Sequence, residues 1–187
     1  MFKKEIRILG IDDGFFTKFK KGNVLIVGVV FRGGSFMDGI LSTKAAVDGT
    51  DATSEIISMI SHSKFRTQLK VILLNGIAVG GFNVIDVKQL HKETRIPVMV
   101  VIRRYPDFGK IRETLVKLGK EDRYKLIQKA GTVHKLGKVF VQLSGLSLKE
   151  AKAILDITCT RAFVPEPLRV AHLIASGMIL GESRGSA

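Results

Sequence analysis

The sequence predicts a mixed α/β fold, with three antiparallel strands first, then further strands interleaved with helices. Three observations predict it. Apolar runs of strand length recur at 6–12, 23–31, 69–74 and 96–102. Turn sequences at 15–22 and 32–34 join the first three strands as successive hairpins. Beyond residue 48, helix signals alternate with strand signals.

The elements follow in order. Strand one, 6–12, stops abruptly at Asp12-Asp13-Gly14. Residues 15–22, FFTKFKKG, form a basic, aromatic turn. The continuous apolar run NVLIVGVVF at 23–31 predicts a central strand covered on both faces. Arg32-Gly33-Gly34 turns into a third strand over 36–47. A loop at 48–53 enters a helix that Thr50 or Asp51 can cap, with Glu55 in its first turn and an apolar face of Ile56, Ile57, Met59 and Ile60. LKVILL at 69–74 is a buried strand ending at Asn75-Gly76. A Gly-rich loop, 75–81, leads to a short helix over 83–94. IPVMVVI at 96–102 is the fifth strand, ending in Arg103-Arg104. Helices are predicted at 107–118 and 120–129, and a hairpin from 132–133 and 138–143 that turns at Leu136-Gly137. Ser147 and Glu150 make a capping box for a helix reaching residue 158. The last helix spans 165–180, with Pro167 tolerated in its first turn. No repeat or linker interrupts the chain, so residues 1–187 read as one domain.

Composition narrows the function classes. Of 187 residues, 45% are hydrophobic, enough for a full core. Thirty Lys and Arg against 17 Asp and Glu give a net +13, which favours acidic partners, nucleic acid before anionic membrane. Residues 103–138 hold eleven Lys and Arg against four Asp and Glu, so +7 of that charge is concentrated there. The lone Cys159 excludes an internal disulfide and fits a reducing compartment. The start, MFKKEIR, has no apolar segment of a signal peptide behind its lysines, and the longest apolar run is too short to span a bilayer. The expectation is a soluble, cytoplasmic protein that binds nucleic acid and no membrane; its oligomeric state is open.

Candidate site residues follow from strand ends. A buried strand cannot carry an unpaired carboxylate cheaply, so Asp12 is expected to meet a cation or strong donors. Ligands in mixed sheets collect at the carboxyl ends of strands. Asp12 and Asn75 end strands one and four, and Asp48, Asp51 and Glu55 sit at the mouth of the first helix. If strands one and four are neighbours, these groups converge. Oxygen donors from several strands suit Mg²⁺, which can activate water against a phosphodiester. Asp13 reads as a turn or supporting residue. Asp48 is a ligand or a loop carboxylate, Asp51 a ligand or a helix cap, Glu55 a ligand or a favourable charge on the helix dipole. Asp86 is an outside candidate. Arg103 and Arg104 are phosphate clamps or a solvated strand end. Arg169 holds a phosphate or pairs with Glu166. His134 and Lys135 lie in a basic hairpin. Phe15, Phe16 and Phe19 among lysines are a stacking platform or core anchors.

Several stretches also carry a resemblance. GID at 10–12, VILLNG at 71–76, IPVMVVIR at 96–103, GTVHKLGKVFVQLSGLSLKEA at 131–151 and, most specifically, VPEPLRVAHLIASG at 164–177 span nearly the whole chain. Together they resemble a mainly archaeal family of unknown function, domain family ninety-nine, itself related to endonuclease V. The resemblance implies an RNase H-like mixed sheet flanked by helices, with endonuclease V-like topology. It implies a divalent-metal-dependent nuclease acting on DNA or RNA with Mg²⁺ or Mn²⁺. Asp12 would be a metal ligand, Asp51 or Glu55 would complete the site, Asn75 would take the third position, and His172 would face it. From the basic residues themselves, Arg103, Arg104, Arg169 and Lys135 are the candidates to bind nucleic acid. The chain departs from endonuclease V at three places. Asn75 stands where that enzyme has an aspartate, Gly80-Gly81-Phe82 replaces a His-Pro-Arg stretch, and AVDGTD at 46–51 lacks its aromatic Pro-Tyr wedge. Two alternatives stay open: a catalytically weak nucleic-acid-binding module, and a hydrolase of a small phosphorylated metabolite.

Overall fold

The computed structural model describes residues 2–17 and 20–185. Three strands come first: β1 (Arg7–Asp13), β2 (Asn23–Arg32) and β3 (Phe36–Ala46). Helix α1 (Ala52–Ser61) leads to β4 (Leu69–Asn75). A small ladder, β5 (Ala78–Val79) with β6 (Asn83–Val84), precedes α2 (Val87–Thr94) and β7 (Val98–Ile102). Then come α3 (Phe108–Lys117), α4 (Asp122–Lys129), β8 (His134–Leu136), β9 (Val139–Ser144), α5 (Leu148–Thr158) and α6 (Glu166–Leu180).

Seven strands form one mixed sheet in the order β3-β2-β1-β4-β7-β9-β8. β1 pairs antiparallel with β2 and parallel with β4, and β4 pairs parallel with β7. The carboxyl ends of β1 and β4 therefore lie side by side. The expected helix over 83–94 begins later, at Val87. Gly80 and Gly81, at φ 53° and 90°, turn the chain back so that 83–84 pair with 78–79. The Asp86 side chain then accepts from the Gln89 N–H and fixes where the helix begins.

Alternation along the strands splits the core in two. Leu9 and Ile11 of β1 join Ile72, Leu74 and Val100, covered by Ile56 and Ile60 of α1 and Leu90 of α2. Ile8 joins Val71, Leu73, Met99 and Val101, covered by Ala151 and Ile154 of α5 and Leu168 of α6. Val27 and Val29 pack on Ala171 and Ala175. Each fully buried aliphatic chain is worth about 1.5–3 kcal/mol, so both faces are firmly held. Helix α6 lies against β1 because Gly10 has no side chain: a Cβ there would collide with the Pro167 backbone. Among the described residues, no helix is long and apolar enough to cross a membrane.

Candidate active site

Asp12 is the sixth residue of β1, on the face that α6 covers. It is only 4% exposed. Its Oδ1 accepts the Asp13 N–H at 2.9 Å. Its Oδ2 accepts from Asn75 Nδ2 at 2.9 Å and from His172 Nδ1 at 2.9 Å. The close approach at Gly10 seats α6, and five residues past Pro167 the helix delivers His172 to the carboxylate.

The partners of His172 define its proton count. Nδ1 faces a carboxylate, and Nε2 lies 3.1 Å from the Arg184 carbonyl oxygen. Both partners accept, an arrangement that the protonated ring satisfies with both nitrogens donating. The hydrogen bond to Asp12 accordingly raises the His172 pKa, against burial and the Arg103 charge, which lower it. The tail segment carrying Arg184 is tied to α6 by its N–H, which donates to Ser176 Oγ at 3.0 Å.

Asp13 points the other way, as the pleat requires. Its Oδ2 accepts the Gly80 N–H at 2.7 Å. Burial, with the neighbouring Asp12 charge adding to it, pushes its carboxyl up to about 6 against the Gly80 hydrogen bond, which lowers it.

Two cavities meet at His172. One, of about 370 Å³, is lined by Arg103, Phe163, Arg169 and Leu173. The other, of about 440 Å³, is lined by Asp13, Phe15, Ser176 and Arg184. Arg169 is paired with the buried Glu166, with contacts of 2.8 to 3.1 Å that raise its pKa. Arg103 and Arg104 are exposed just past β7. Phe15 is 59% exposed, so it is no core anchor; Phe16 is half-buried, and Phe19 lies outside the described residues. Lys135 lines a separate cavity of about 440 Å³ beside α5, with Phe163 on its border.

The structure thus brings together Asp12, Asn75 and His172, with Arg103 and Arg169 at the cavity wall. It does not bring Asp51 or Glu55 to them. Asp51 accepts from the Ala46 N–H at 3.1 Å and from Asn83 Nδ2 at 2.6 Å. Asn83 in turn accepts the Ala52 N–H at 3.0 Å and donates to the Ala46 carbonyl at 2.9 Å. This closed network ties the end of β3 to α1 and β6. Asp51 stands at the α1 N-cap position without making a side-chain cap bond. Glu55 accepts from Thr43 Oγ1 at 3.1 Å. Both belong to the α1 side of the sheet, opposite the face where Asp12 meets His172. Asp48 accepts the Phe82 N–H at 3.0 Å and lies 3.3 Å from Lys120, and Asp86 caps α2 and pairs with Lys129 at 2.5 Å. Ser176 and the Arg184 carbonyl were not expected at the site. The His172–Ser176 spacing puts both on one helix face, a signal present in the sequence; nothing marks the Arg184 carbonyl.

Among the described residues, no three His, Cys, Asp or Glu side chains gather where a metal could sit. The donors that remain, Asp12 with the Asn75 carbonyl oxygen if that amide turns over, fit one hydrated hard cation and no metal pair.

The comparisons with known proteins concern the family and the fold. The family model described as Endonuclease dU matches residues 4–179. A UPF0215 protein of Methanosarcina acetivorans is 48% identical over 192 aligned positions, covering 99% of this chain and 96% of its own. The crystal structure of a protein of unknown function from Archaeoglobus fulgidus superposes with a TM-score of 0.87 at 41% identity, covering 94% of this chain and 99% of that one. Endonuclease V of Bacillus subtilis has a TM-score of 0.60 at 12% identity, over 91% of this chain and 79% of that one. Endonuclease V of Ciona intestinalis, in complex with inosine-containing DNA, has a TM-score of 0.55 at 16% identity, over 88% and 82%. The endonuclease V likenesses show a shared fold, and the sequence matches show the family: this chain belongs to the Endonuclease dU family, alongside the archaeal UPF0215 proteins.

Proposed function

We propose that this protein is an endonuclease acting on nucleic acid that carries a deaminated base, with Asp12 and His172 at its centre. The family description makes deoxyuridine the first substrate to test, and the inosine DNA bound by the Ciona relative makes inosine the second. The observation that carries the reading is the buried Asp12 at a strand end, sharing Oδ2 between His172 and Asn75 beside a cavity walled by arginines.

The chemistry follows from those groups. His172 holds a proton at Nε2, where it faces the cavity rim and the tail. It can pass that proton to a departing oxygen as a general acid. Asp12 keeps the ring charged and fixes its orientation. Arg103 and Arg169 add positive charge where a phosphodiester would lie. A bound Mg²⁺ or Mn²⁺, held by Asp12 and the Asn75 carbonyl, would supply Lewis-acid stabilisation of the phosphodiester.

The test is cleavage of labelled single- and double-stranded oligonucleotides with one deoxyuridine or one inosine, in Mg²⁺, in Mn²⁺ and in chelator. Cleavage lost in His172→Ala supports the proposal; no cleavage of any substrate, with either metal, rejects it. One observation favours a second reading, binding without turnover. Asn75 spends its amide on Asp12, where an aspartate would add the charge a second metal needs. On that reading the protein binds the same oligonucleotides and cuts none, and Asn75→Asp creates metal-dependent cleavage.

A further inference from the structure

The other face of the molecule holds a further cavity, of about 310 Å³, between the starts of three helices. Thr53 and Ser54 reach it from the first turn of α1, Gln89 from α2, and Asp122 and Arg123 from α4. It belongs to the α1 side of the sheet, away from the Asp12–His172 pair.

Two features of this cavity are incomplete as they stand. The first is Arg123, which is 8% exposed. Among the described residues, its guanidinium makes one hydrogen bond, from Nη1 to the Phe82 carbonyl at 2.8 Å. Its Nε is buried without a partner, and none of the described carboxylates pairs with it. A buried cation without a counter-charge is costly, and an anion in the cavity would relieve that cost. The second feature is the helix starts. Neither α1 nor α4 has a side-chain cap: Asp51 is engaged by Ala46 and Asn83, and Glu121 makes no cap bond. The Ala52 N–H goes to Asn83, and Thr53 and Ser54, which carry the next donors, line the cavity. The first turn of α4 is closed, since the Arg123 and Tyr124 N–H groups donate to the Lys120 and Glu121 carbonyls at 3.1 and 3.0 Å, so the open N–H groups and the helix dipole that favour an anion are those of α1.

The acidic residues nearby do not fill that role. Asp86 is spent: Lys129 Nζ lies 2.5 Å from one oxygen, and the Gln89 N–H donates to the other at 3.0 Å. Burial pushes its carboxyl up, but those bonds outweigh burial and hold it below the usual range. Asp122 is exposed at the rim, where water screens it.

We propose that this cavity is a phosphoryl-binding site, in which the Arg123 guanidinium and the uncapped start of α1 hold the phosphate oxygens. The ligand is a phosphate monoester or diester, supplied by a nucleic-acid strand or by a free nucleotide. The surrounding segment, residues 103–138, carries +7 and would draw either one in.

The test is a titration at low salt with three probes: inorganic phosphate, a deoxynucleoside monophosphate and a short single-stranded oligonucleotide. Amide shifts and calorimetry are read on the unmodified protein, on Arg123→Gln and on Ser54→Glu. The expected result is shifts at the Thr53, Ser54, Asp122 and Arg123 amides, with affinity at least tenfold weaker in both variants. An oligonucleotide binding tenfold tighter than the monophosphate assigns the site to a strand; equal affinity assigns it to a free nucleotide. Ser54 is exposed, and a glutamate in the first turn suits the helix dipole, so Ser54→Glu should fold and melt higher while binding phosphate poorly. It decides the matter should Arg123→Gln not fold. The proposal is overturned if no probe shifts those amides, or if Ser54→Glu binds as the unmodified protein does. The outcome is independent of cleavage, which is tested at His172.

Discussion

The charged form of His172 is favoured because each of its nitrogens faces an accepting oxygen. Its folded pKa is raised above the ordinary 6.5, chiefly by the bond to Asp12. The stability this pair contributes is therefore complete below about 6.5 and fades as pH rises through the raised value. NMR titration of the imidazole should show a midpoint above 6.5, and Asp12→Asn should bring it down. Asp13 behaves likewise for a different reason, because burial lifts it from 3.8 to about 6. Its folded value is the higher one, so its contribution is full below about 3.8 and is lost as pH rises through about 6. Denaturation of Asp13→Asn should lack the fall in stability that the unmodified protein shows over that interval. Asp12 could be found in the sequence because a charge that ends an apolar run needs partners. The choice between Asp51 and Glu55 could not be made there. Their distance along the chain from strand three says nothing of which sheet face they serve, and both turned out to serve the face opposite His172.

Helix α6 owes its seat to two glycines of the first strand and turn. A Cβ at Gly10 would meet the Pro167 backbone, and one at Gly14 would press on the Ala175 carbonyl at 3.0 Å. Gly10→Ala should cost about 3 kcal/mol in denaturant unfolding, as overpacking against backbone does. It should also weaken the His172–Asp12 contact, visible as a lower His172 midpoint. The Asp51–Asn83 network makes a contrasting prediction. Asp51→Ala strands the Ala46 N–H and an Asn83 amide, costing about 1–3 kcal/mol, with no change in the His172 titration. Most elements were readable in the sequence, because their apolar periods, caps and turns are local. The capping box of Ser147 and Glu150 is present as read, with the Glu150 N–H donating to Ser147 Oγ at 3.3 Å and the Ser147 N–H to Glu150 at 2.9 Å. The β5–β6 ladder was not readable. Two-residue strands have no period, and Asn83 and Val84 look as much like a helix start as a strand.

At the scale of the whole molecule, the sheet order places the ends of β1 and β4 side by side and α6 across them, so that groups 160 residues apart, Asp12 and His172, touch. The net +13 acts at the same scale. Binding to duplex DNA should weaken with salt at a slope of about −0.9 per phosphate contacted; a flat dependence in a fluorescence titration would contradict electrostatic binding. Composition favours an acidic partner, but it could not foretell the cavities, which arise only when distant elements meet. The central claim is that Asp12, and not Asp51, serves the chemistry. The direct measurement is the cleavage rate of a deoxyuridine-containing oligonucleotide by Asp12→Asn and by Asp51→Ala, each assayed well below its own melting temperature. Asp12→Asn should lose a factor of about 10²–10⁴, the usual worth of a positioned acid–base group, while Asp51→Ala stays within a few-fold of the unmodified protein. Equal losses, or a larger loss in Asp51→Ala, would contradict the account.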